Sequence, residues 1–324
     1  MKIHIISGDE YRRRKRKRLD ELIEHAVFRI EEKQERTEEK QKHVNPSEKQ
    51  THTISSDLDK SLYIAGAFTQ APGIKLNGYG IVKWNGKRLS KVLDGFEDNN
   101  DINSIEALAF DENNDLYIAG AFTQASGIKL NGYGIVRWDG KRLSKVLDGF
   151  NDPIEALAFD GNNNLYIGTF GGMFKYDGRQ LKKVVDDEIN AVEAIAIDKK
   201  SGCLYYAIGF GTLEVREHPN KEIMKGVYKV ALASRNGVLY IATSDASFNN
   251  SFYGILEWDG KKLTEIVRDL DVDALAVNER GELYIARRPD DYNYSWCISK
   301  YTGKGISEVL DGFNGLISAL AFKE

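Results

Sequence analysis

The sequence has little of the side-chain chemistry on which most metal and hydrolytic sites depend. It holds 2 cysteines and 5 histidines among 324 residues. Cys203 and Cys297 form no CxxC pair, which argues against a metal site built on cysteine. Only His52 and His218 lie outside the N-terminal segment, so a zinc cluster or a histidine general-base dyad is disfavoured. No glycine-rich loop ends in Gly-Lys-Ser or Gly-Lys-Thr, which argues against a phosphate-binding loop of that type.

Long hydrophobic runs are also absent. No stretch approaches the roughly 20 apolar residues of a membrane-spanning helix. The first residues, MKIHIISGDEYRRRKRKR, become charged too soon for a secretory signal. The net charge is −4, and residues 1–50 carry 14 Lys and Arg against 11 Asp and Glu, which leaves 31 against 38 in residues 51–324. We therefore expect a cytoplasmic protein whose main part has no overall basic footprint for nucleic acid.

What the sequence does contain is a repeat. Residues 62–96 and 116–150 differ only at Pro72/Ser126, Lys83/Arg137 and Asn85/Asp139. Fainter copies follow, and each is anchored on a Leu-Tyr pair that begins at residue 62, 116, 165, 204, 239 or 283. Around each anchor, short runs of alternating apolar residues predict four strands. Asn-Gly and Asp-Gly pairs between the third and fourth strands, such as Asp139-Gly140, predict type I′ hairpins.

Four antiparallel strands repeated radially are typical of a β-propeller. The six anchors predict an all-β, six-bladed propeller over residues 47–324. Residues 1–46 are predicted to form a short strand followed by a basic and amphipathic helical arm. Two segments compete for the innermost strand of the closing blade. Residues 316–322 (LISALAF) match the pattern better than the more polar residues 51–57 (THTISSD), so we expect the C-terminal strand to close the ring.

The sharp repeats resemble bacterial propeller repeats of the form L-Y-(V/I)-(A/G)-G-x-F-T followed by W-D-G. The matching residues are Leu62 to Gly66, Phe68-Thr69, Trp84-Asn85-Gly86 and their partners in residues 116–140. Later copies drift, because REHPN (216–220) has lost the W-D-G turn. The resemblance implies a propeller fold and often a surface or binding role. It implies no shared catalytic residue, and members of that family are frequently secreted.

Long loops between the second and third strands are predicted to build up one side of a propeller face. Rigid aromatic residues together with arginine are typical of protein-interaction hot spots. The alternative is that these aromatics pack against the edges of the blades. The predicted binding rim consists of Tyr79, Tyr133, Phe252, Tyr253, Arg287, Arg288, Tyr292, Tyr294 and Trp296.

Acidic residues recur at one position near the start of the innermost strands. They are Glu106, Glu155, Glu193 and Asp273, and Val230 and Ser318 fill the equivalent positions in the other two copies. Four acids around a channel mouth could bind a divalent cation such as Ca²⁺, which takes several oxygen ligands. The alternative is a hydrated acidic channel without a fixed ion and without any cofactor.

The N-terminal arm carries two further features. One apolar stripe at helical spacing is predicted to dock on the propeller, on a second copy of the chain or on a partner, and consists of Leu19, Leu22, Ile23, Ala26, Val27 and Ile30. The basic run RRRKRKR (12–18) allows contact with nucleic acid or an acidic membrane, or is a solvated helix face.

Together these observations favour a non-enzymatic protein-interaction scaffold that uses the long-loop face of a propeller. The alternative is a propeller hydrolase or lactonase that needs a divalent cation and acts on a small molecule or glycan through the acidic channel.

Overall fold

The computed structural model describes residues 61–97, 104–210, 212–218, 221–227, 230–243, 253–288 and 295–323. All of them belong to one compact unit, Asp57–Glu324, and the other unit, Met1–Ser56, lies outside the described residues. Every regular element in the described ranges is a β-strand. These ranges accordingly contain no helix long and apolar enough to cross a membrane.

The strands are short and follow one another closely along the chain. The first thirteen are β1 (Leu62–Gly66), β2 (Gln70–Ala71), β3 (Ile74–Lys75), β4 (Tyr79–Trp84), β5 (Leu89–Glu97), β6 (Ser104–Phe110), β7 (Leu116–Ala121), β8 (Gln124–Ala125), β9 (Ile128–Lys129), β10 (Tyr133–Trp138), β11 (Leu143–Phe150), β12 (Ile154–Phe159) and β13 (Leu165–Tyr176). The others are β14 (Leu181–Ile197), β15 (Leu204–Phe210), β16 (Thr212–Glu217), β17 (Lys221–Val227), β18 (Val230–Arg235), β19 (Val238–Thr243), β20 (Gly254–Trp258), β21 (Leu263–Arg268), β22 (Ala274–Val277), β23 (Leu283–Arg287), β24 (Trp296–Tyr301), β25 (Ile306–Phe313) and β26 (Ile317–Phe322).

Hydrogen bonding joins these strands into antiparallel sheets of unequal size. Three sheets have four strands each, in the orders β11-β10-β7-β6, β18-β19-β20-β21 and β22-β23-β24-β25. Two have six strands, in the orders β26-β1-β4-β5-β8-β9 and β12-β13-β14-β15-β16-β17. Strands β2 and β3 form a two-stranded sheet of their own.

The prediction of six separate four-stranded blades is therefore wrong. The reason lies partly in β14, a continuous strand of 17 residues that pairs with β13 along its first part and with β15 along its last part. Two repeat copies are thereby fused into one sheet. The predicted helical arm has no counterpart either, since no described element is a helix and residues 1–46 lie outside the described residues.

The sheets are nevertheless arranged radially. The innermost strands contact one another in a closed ring, in the order β26, β6, β12, β14, β18, β22 and back to β26. The ring is closed by the C-terminal strand, because β26 pairs with β1 from Leu62↔Phe322 to Gly66↔Ile317. Residues 51–57, the competing segment, lie outside the described residues.

The core lies between adjacent sheets, and the alternation of side chains along each strand decides which cluster a residue joins. In β1, Leu62 and Ile64 are buried in one hydrophobic cluster, whereas Tyr63 and Ala65 are buried in the next. Successive side chains of a strand point to opposite faces of the sheet. A strand that is apolar on both faces, such as LYIAG, can therefore seal two interfaces between sheets.

The tight turns between third and fourth strands differ from the prediction. A type I′ turn needs positive φ at both central residues. In the turn between β10 and β11, Gly140 has a φ of +92° but Asp139 is not in the positive region. The Asp139 carboxylate instead accepts hydrogen bonds from the backbone N–H groups of Lys141 (2.7 Å) and Arg142 (2.6 Å). The acid therefore caps the turn with its side chain.

Candidate functional site

The ring of innermost strands encloses a cavity of about 430 Å³. The acid ring, which we define as Glu106, Glu155, Glu193 and Asp273, lines this cavity. Val230 and Ser318 also line it, as their equivalent positions in the repeat predict. The rest of the wall is largely apolar, with alanine and leucine residues from the same strands. The structure therefore brings the four predicted acids to one cavity, and their role as metal ligands stays a prediction.

The electrostatics of the acid ring centre on Glu155. Burial raises the pKa of Glu155 to about 7, and the neighbouring carboxylates of Glu106 and Glu193 add to the rise. Desolvation and like charges both disfavour the ionised form of a carboxyl group. A fraction of Glu155 is therefore protonated near neutral pH, and the cavity then carries less negative charge than its composition suggests.

Two other members of the ring accept hydrogen bonds from neighbouring side chains. Ser104 donates a hydrogen bond from its hydroxyl group to Glu106. Trp296 donates from its indole Nε1 to Asp273 Oδ2 at 2.9 Å. Across the ranges that the structure describes, no three Asp, Glu, His or Cys side chains are grouped closely enough to hold a metal ion.

The described members of the predicted binding rim fall at one position in four repeat copies. Tyr79, Tyr133 and Trp296 begin β4, β10 and β24, and Tyr253 immediately precedes β20. All four are partly exposed. Their sheets are consecutive, because the innermost strands β18, β22, β26 and β6 contact one another in that order. We call these four residues the aromatic arc.

Two arginines accompany the aromatic arc. Arg287 donates from Nε to Ser299 Oγ at 2.9 Å, and its guanidinium lies 3.9 Å from the Glu308 carboxylate. Arg288 follows it and is exposed. Phe252, Tyr292 and Tyr294 lie outside the described residues, as do the basic run 12–18 and the apolar stripe of residues 19–30.

The long loops after β1 and β7 have a structural role that the sequence analysis missed. Each begins with a buried phenylalanine and folds into a small hairpin, β2-β3 or β8-β9. We call residues 68–76 and 122–130 the FTQA hairpins. Phe68 packs edge-on against Phe313 at 5.1 Å between ring centroids, and Phe122 packs in the same way against Phe96 at 5.0 Å. Each hairpin therefore docks on the last strand of the preceding repeat copy.

A sequence signal for this docking exists. Each hairpin lies against the fourth strand of the preceding repeat copy, and both of these strands carry the sequence Leu-Asp-Gly-Phe near their ends, at residues 93–96 and 310–313. Phe96 and Phe313 are 1% and 0% exposed. The co-occurrence of Phe-Thr-Gln-Ala and Leu-Asp-Gly-Phe could have indicated the contact.

Comparison with known proteins identifies the fold of this chain but assigns it to no family. No family model matches the chain, and no curated protein matches it. A chain in the crystal structure of a nidogen/laminin complex is similar in structure, with a TM-score of 0.59 and 11% identity over 82% of this chain and 98% of that one. The fold is a β-propeller. A calcium-binding protein, regucalcin, from Agrobacterium tumefaciens strain C58 has a TM-score of 0.46 and 11% identity over 63% of this chain and 73% of that one.

Proposed function

We propose that this propeller is a non-enzymatic protein-interaction scaffold whose partner contacts the long-loop face. The observation that carries the proposal is the aromatic arc, four partly exposed aromatic residues at one strand position in consecutive sheets. Tyrosine and tryptophan offer a large contact area at a low cost in conformational entropy. Arginine is also enriched in interface hot spots, and exposed Arg288 adjoins the arc in sequence.

One member of the arc and one neighbouring arginine are held by hydrogen bonds, which favours binding over simple solvation. The indole of Trp296 is fixed by its hydrogen bond to Asp273, and Arg287 is fixed by Ser299. Side chains that are ordered before binding lose less entropy on association. The similar propeller from the nidogen/laminin complex belongs to an assembly of two proteins, which is compatible with a protein partner here.

The test uses the full chain as bait with one pair of matched arginine variants. Arg288→Ala removes a cation from the long-loop face, whereas Arg142→Ala removes an exposed cation from the turn at the opposite end of the strands. We expect the wild type and Arg142→Ala to retain a protein partner that Arg288→Ala loses. Tyr253→Ala, which truncates a member of the arc, should lose the same partner. Equal retention by all baits would contradict the proposal, and so would the absence of any specific partner.

The second candidate is a cation-dependent hydrolase or lactonase that acts on a small molecule or glycan. It is favoured by the acidic cavity, whose raised pKa at Glu155 suits a general acid or base. Calcium would then raise the melting temperature of the wild type, and Glu155→Gln would abolish that increase. A wild type whose melting temperature ignores calcium argues against this candidate.

Three proposals rest on the sequence alone. They are location in the cytoplasm, self-association through residues 19–30, and contact of residues 12–18 with nucleic acid or an acidic membrane. Nucleic-acid binding through the basic run would weaken steeply with added salt. It would also disappear when those seven residues are neutralised.

A further inference from the structure

The fourth strands of three repeat copies end in the same residues. Residues 89–96 and 143–150 both read LSKVLDGF, and residues 309–313 read VLDGF. We call the strand ends Leu93–Phe96, Leu147–Phe150 and Leu310–Phe313 the LDGF edges. Two of the three are covered by the FTQA hairpin of the next repeat copy.

The covered edges show what this surface binds. At the first, Phe96 and Glu97 pair with Ala125 and Gln124 of β8. The backbone N–H of Ser126 donates to the carbonyl of Gly95 at 2.7 Å, and that of Thr123 donates to the carbonyl of Glu97 at 3.0 Å. The hairpin therefore adds a short strand to the sheet and inserts one aromatic ring.

The edge at Phe313 is covered in a similar way. The backbone N–H of Asn314 donates to the carbonyl of Gln70 at 3.1 Å, and the Asn314 side chain accepts from the N–H groups of Thr69 and Gln70. Pro72 also lies against Gly312, because a Cβ built on that glycine would be 3.7 Å from the proline ring. The same kind of interface is thus made twice within one chain.

The LDGF edge at residues 147–150 is bare in the part of the chain that the structure describes. Its strand, β11, has β10 as its one hydrogen-bonded neighbour in the sheet. The repeat copy that follows lacks the hairpin, because β13 runs unbroken from Leu165 to Tyr176. A Cβ built on Gly149 would come within 4 Å of Asn131 alone, which belongs to the same copy, whereas at Gly95 it would meet Ser126 of the next. Phe150 packs edge-on against Phe174 of the following copy, at 6.0 Å between ring centroids, but it stays partly exposed, unlike Phe96 and Phe313.

We propose that the bare LDGF edge binds a β-hairpin of the FTQA type from another polypeptide. The argument is one of chemical identity, since Gly149 and Phe150 repeat Gly95 and Phe96, where β5 already binds such a hairpin. An edge strand with free backbone groups is a template for an incoming strand. The occupant needs an aromatic residue where Phe122 lies and a small residue where buried Ala125 lies. A backbone donor where Ser126 lies would add a hydrogen bond but is not required, because the hairpin docked at Phe313 has Pro72 at that position. Both FTQA hairpins among the described residues are already docked, so we assign the occupant to a separate polypeptide.

The proposal concerns a surface distinct from the aromatic arc and rests on the scaffold function only in that the partner is a polypeptide. Variants of β11 and of the arc therefore separate the two ideas. A wild-type chain that captures its partner but does not bind the peptide would overturn this inference alone.

The probe is a fluorescein-labelled peptide with the sequence of residues 120–133, titrated into the full chain and followed by anisotropy. We expect saturable binding that weakens about tenfold or more when the peptide carries Phe122→Ala, since tenfold corresponds to about 1.4 kcal/mol. Absence of saturable binding up to about 1 mM, a limit near −4 kcal/mol, overturns the proposal. So does equal binding of the two peptides.

Two protein variants locate the site. Phe150→Leu should weaken peptide binding, whereas the matched Phe313→Leu, at a covered edge, should leave it unchanged. Thermal melting of both variants shows whether each remains folded. Independently of any variant, a photoreactive phenylalanine at the Phe122 position of the peptide should crosslink to residues 143–153. Crosslinks confined to another region overturn the proposal, as does a stable dimer of the chain in which β11 faces a second copy.

Discussion

Replacing Glu155 by glutamine should make the propeller more stable at alkaline pH and leave its stability unchanged at acidic pH. Glutamine imitates the protonated carboxyl group without the capacity to ionise. The cause is the pKa of Glu155, which burial and the charges of Glu106 and Glu193 raise from 4.5 to about 7. A group that ionises more readily in the unfolded chain favours unfolding once the pH exceeds its unfolded pKa.

The sign and the pH window follow from these two values. Below about pH 4.5 the Glu155 carboxyl group is protonated in both the folded and the unfolded chain, so the stabilisation of the folded state by the protonated group is fully present. As the pH rises through about 7 that stabilisation is lost, because folding then confines an ionised carboxylate among like charges. The difference between 4.5 and about 7, at about 1.36 kcal/mol for each pH unit, corresponds to about 3 kcal/mol.

The assay is urea unfolding of both proteins at about pH 4, 6 and 8.5, with the difference in unfolding free energy taken at each pH. Comparison at the same pH removes the contributions of all other titrating groups. We expect almost no difference at the lowest pH and an advantage of about 3 kcal/mol for the variant at the highest. The exposed control Glu112→Gln should show no such trend. A variant that follows the wild type at every pH would refute the assignment of the raised pKa to Glu155.

Three further perturbations test the packing. Gly66→Ala should lower the free energy of unfolding in urea by about 1–3 kcal/mol, because a Cβ there overlaps the backbone of the ring-closing segment. Gly161→Ala has room for its Cβ and should lower the unfolding free energy little. Equal effects of the two variants would contradict the close approach at Gly66. Phe122→Ala should lower the free energy of unfolding by about 3–5 kcal/mol, since Phe122 is fully buried. Phe170→Ala should have a small effect, because Phe170 is 40% exposed. Similar decreases in the two variants would contradict the docked hairpin. Burial raises the pKa of the Cys297 thiol to about 11, so iodoacetamide at about pH 8 should label it only after unfolding, and rapid labelling of the folded chain, located by mass spectrometry, would contradict its burial.

The sequence predicted the positions that repeat and failed where neighbouring copies interact. Glu106, Glu155, Glu193 and Asp273 could be placed at one cavity because equivalent positions of a radial repeat lie on one ring. The Leu-Tyr anchors alone do not show whether two neighbouring repeat copies form separate sheets or share one. The sequence did contain a signal for the continuous strand β14. Glycine and proline most often end a strand, and neither occurs in residues 181–197.

The long loops show a second limit of pattern reading. Their length and polarity indicate a surface rim, and the aromatic residues within them indicate a partner. Phe68 and Phe122, which lie in the same loops but outside the predicted binding rim, are buried against Phe313 and Phe96. Whether a loop aromatic faces solvent depends on the strand end beside it, which comes from another part of the chain. That dependence is invisible to a reading that treats each copy separately.

Identical sequence in different surroundings also explains how this propeller acquires a free edge. Residues 89–96 and 143–150 are the same, yet Phe96 is 1% exposed and Phe150 is only partly buried. The difference arises in the copy that follows, where β13 continues without the hairpin that β8 and β9 form one copy earlier. No residue of β11 had to change for its edge to become available. The backbone of β11 therefore remains an open sheet edge, while Phe150 has Phe174 as the aromatic neighbour that Phe96 has in Phe122.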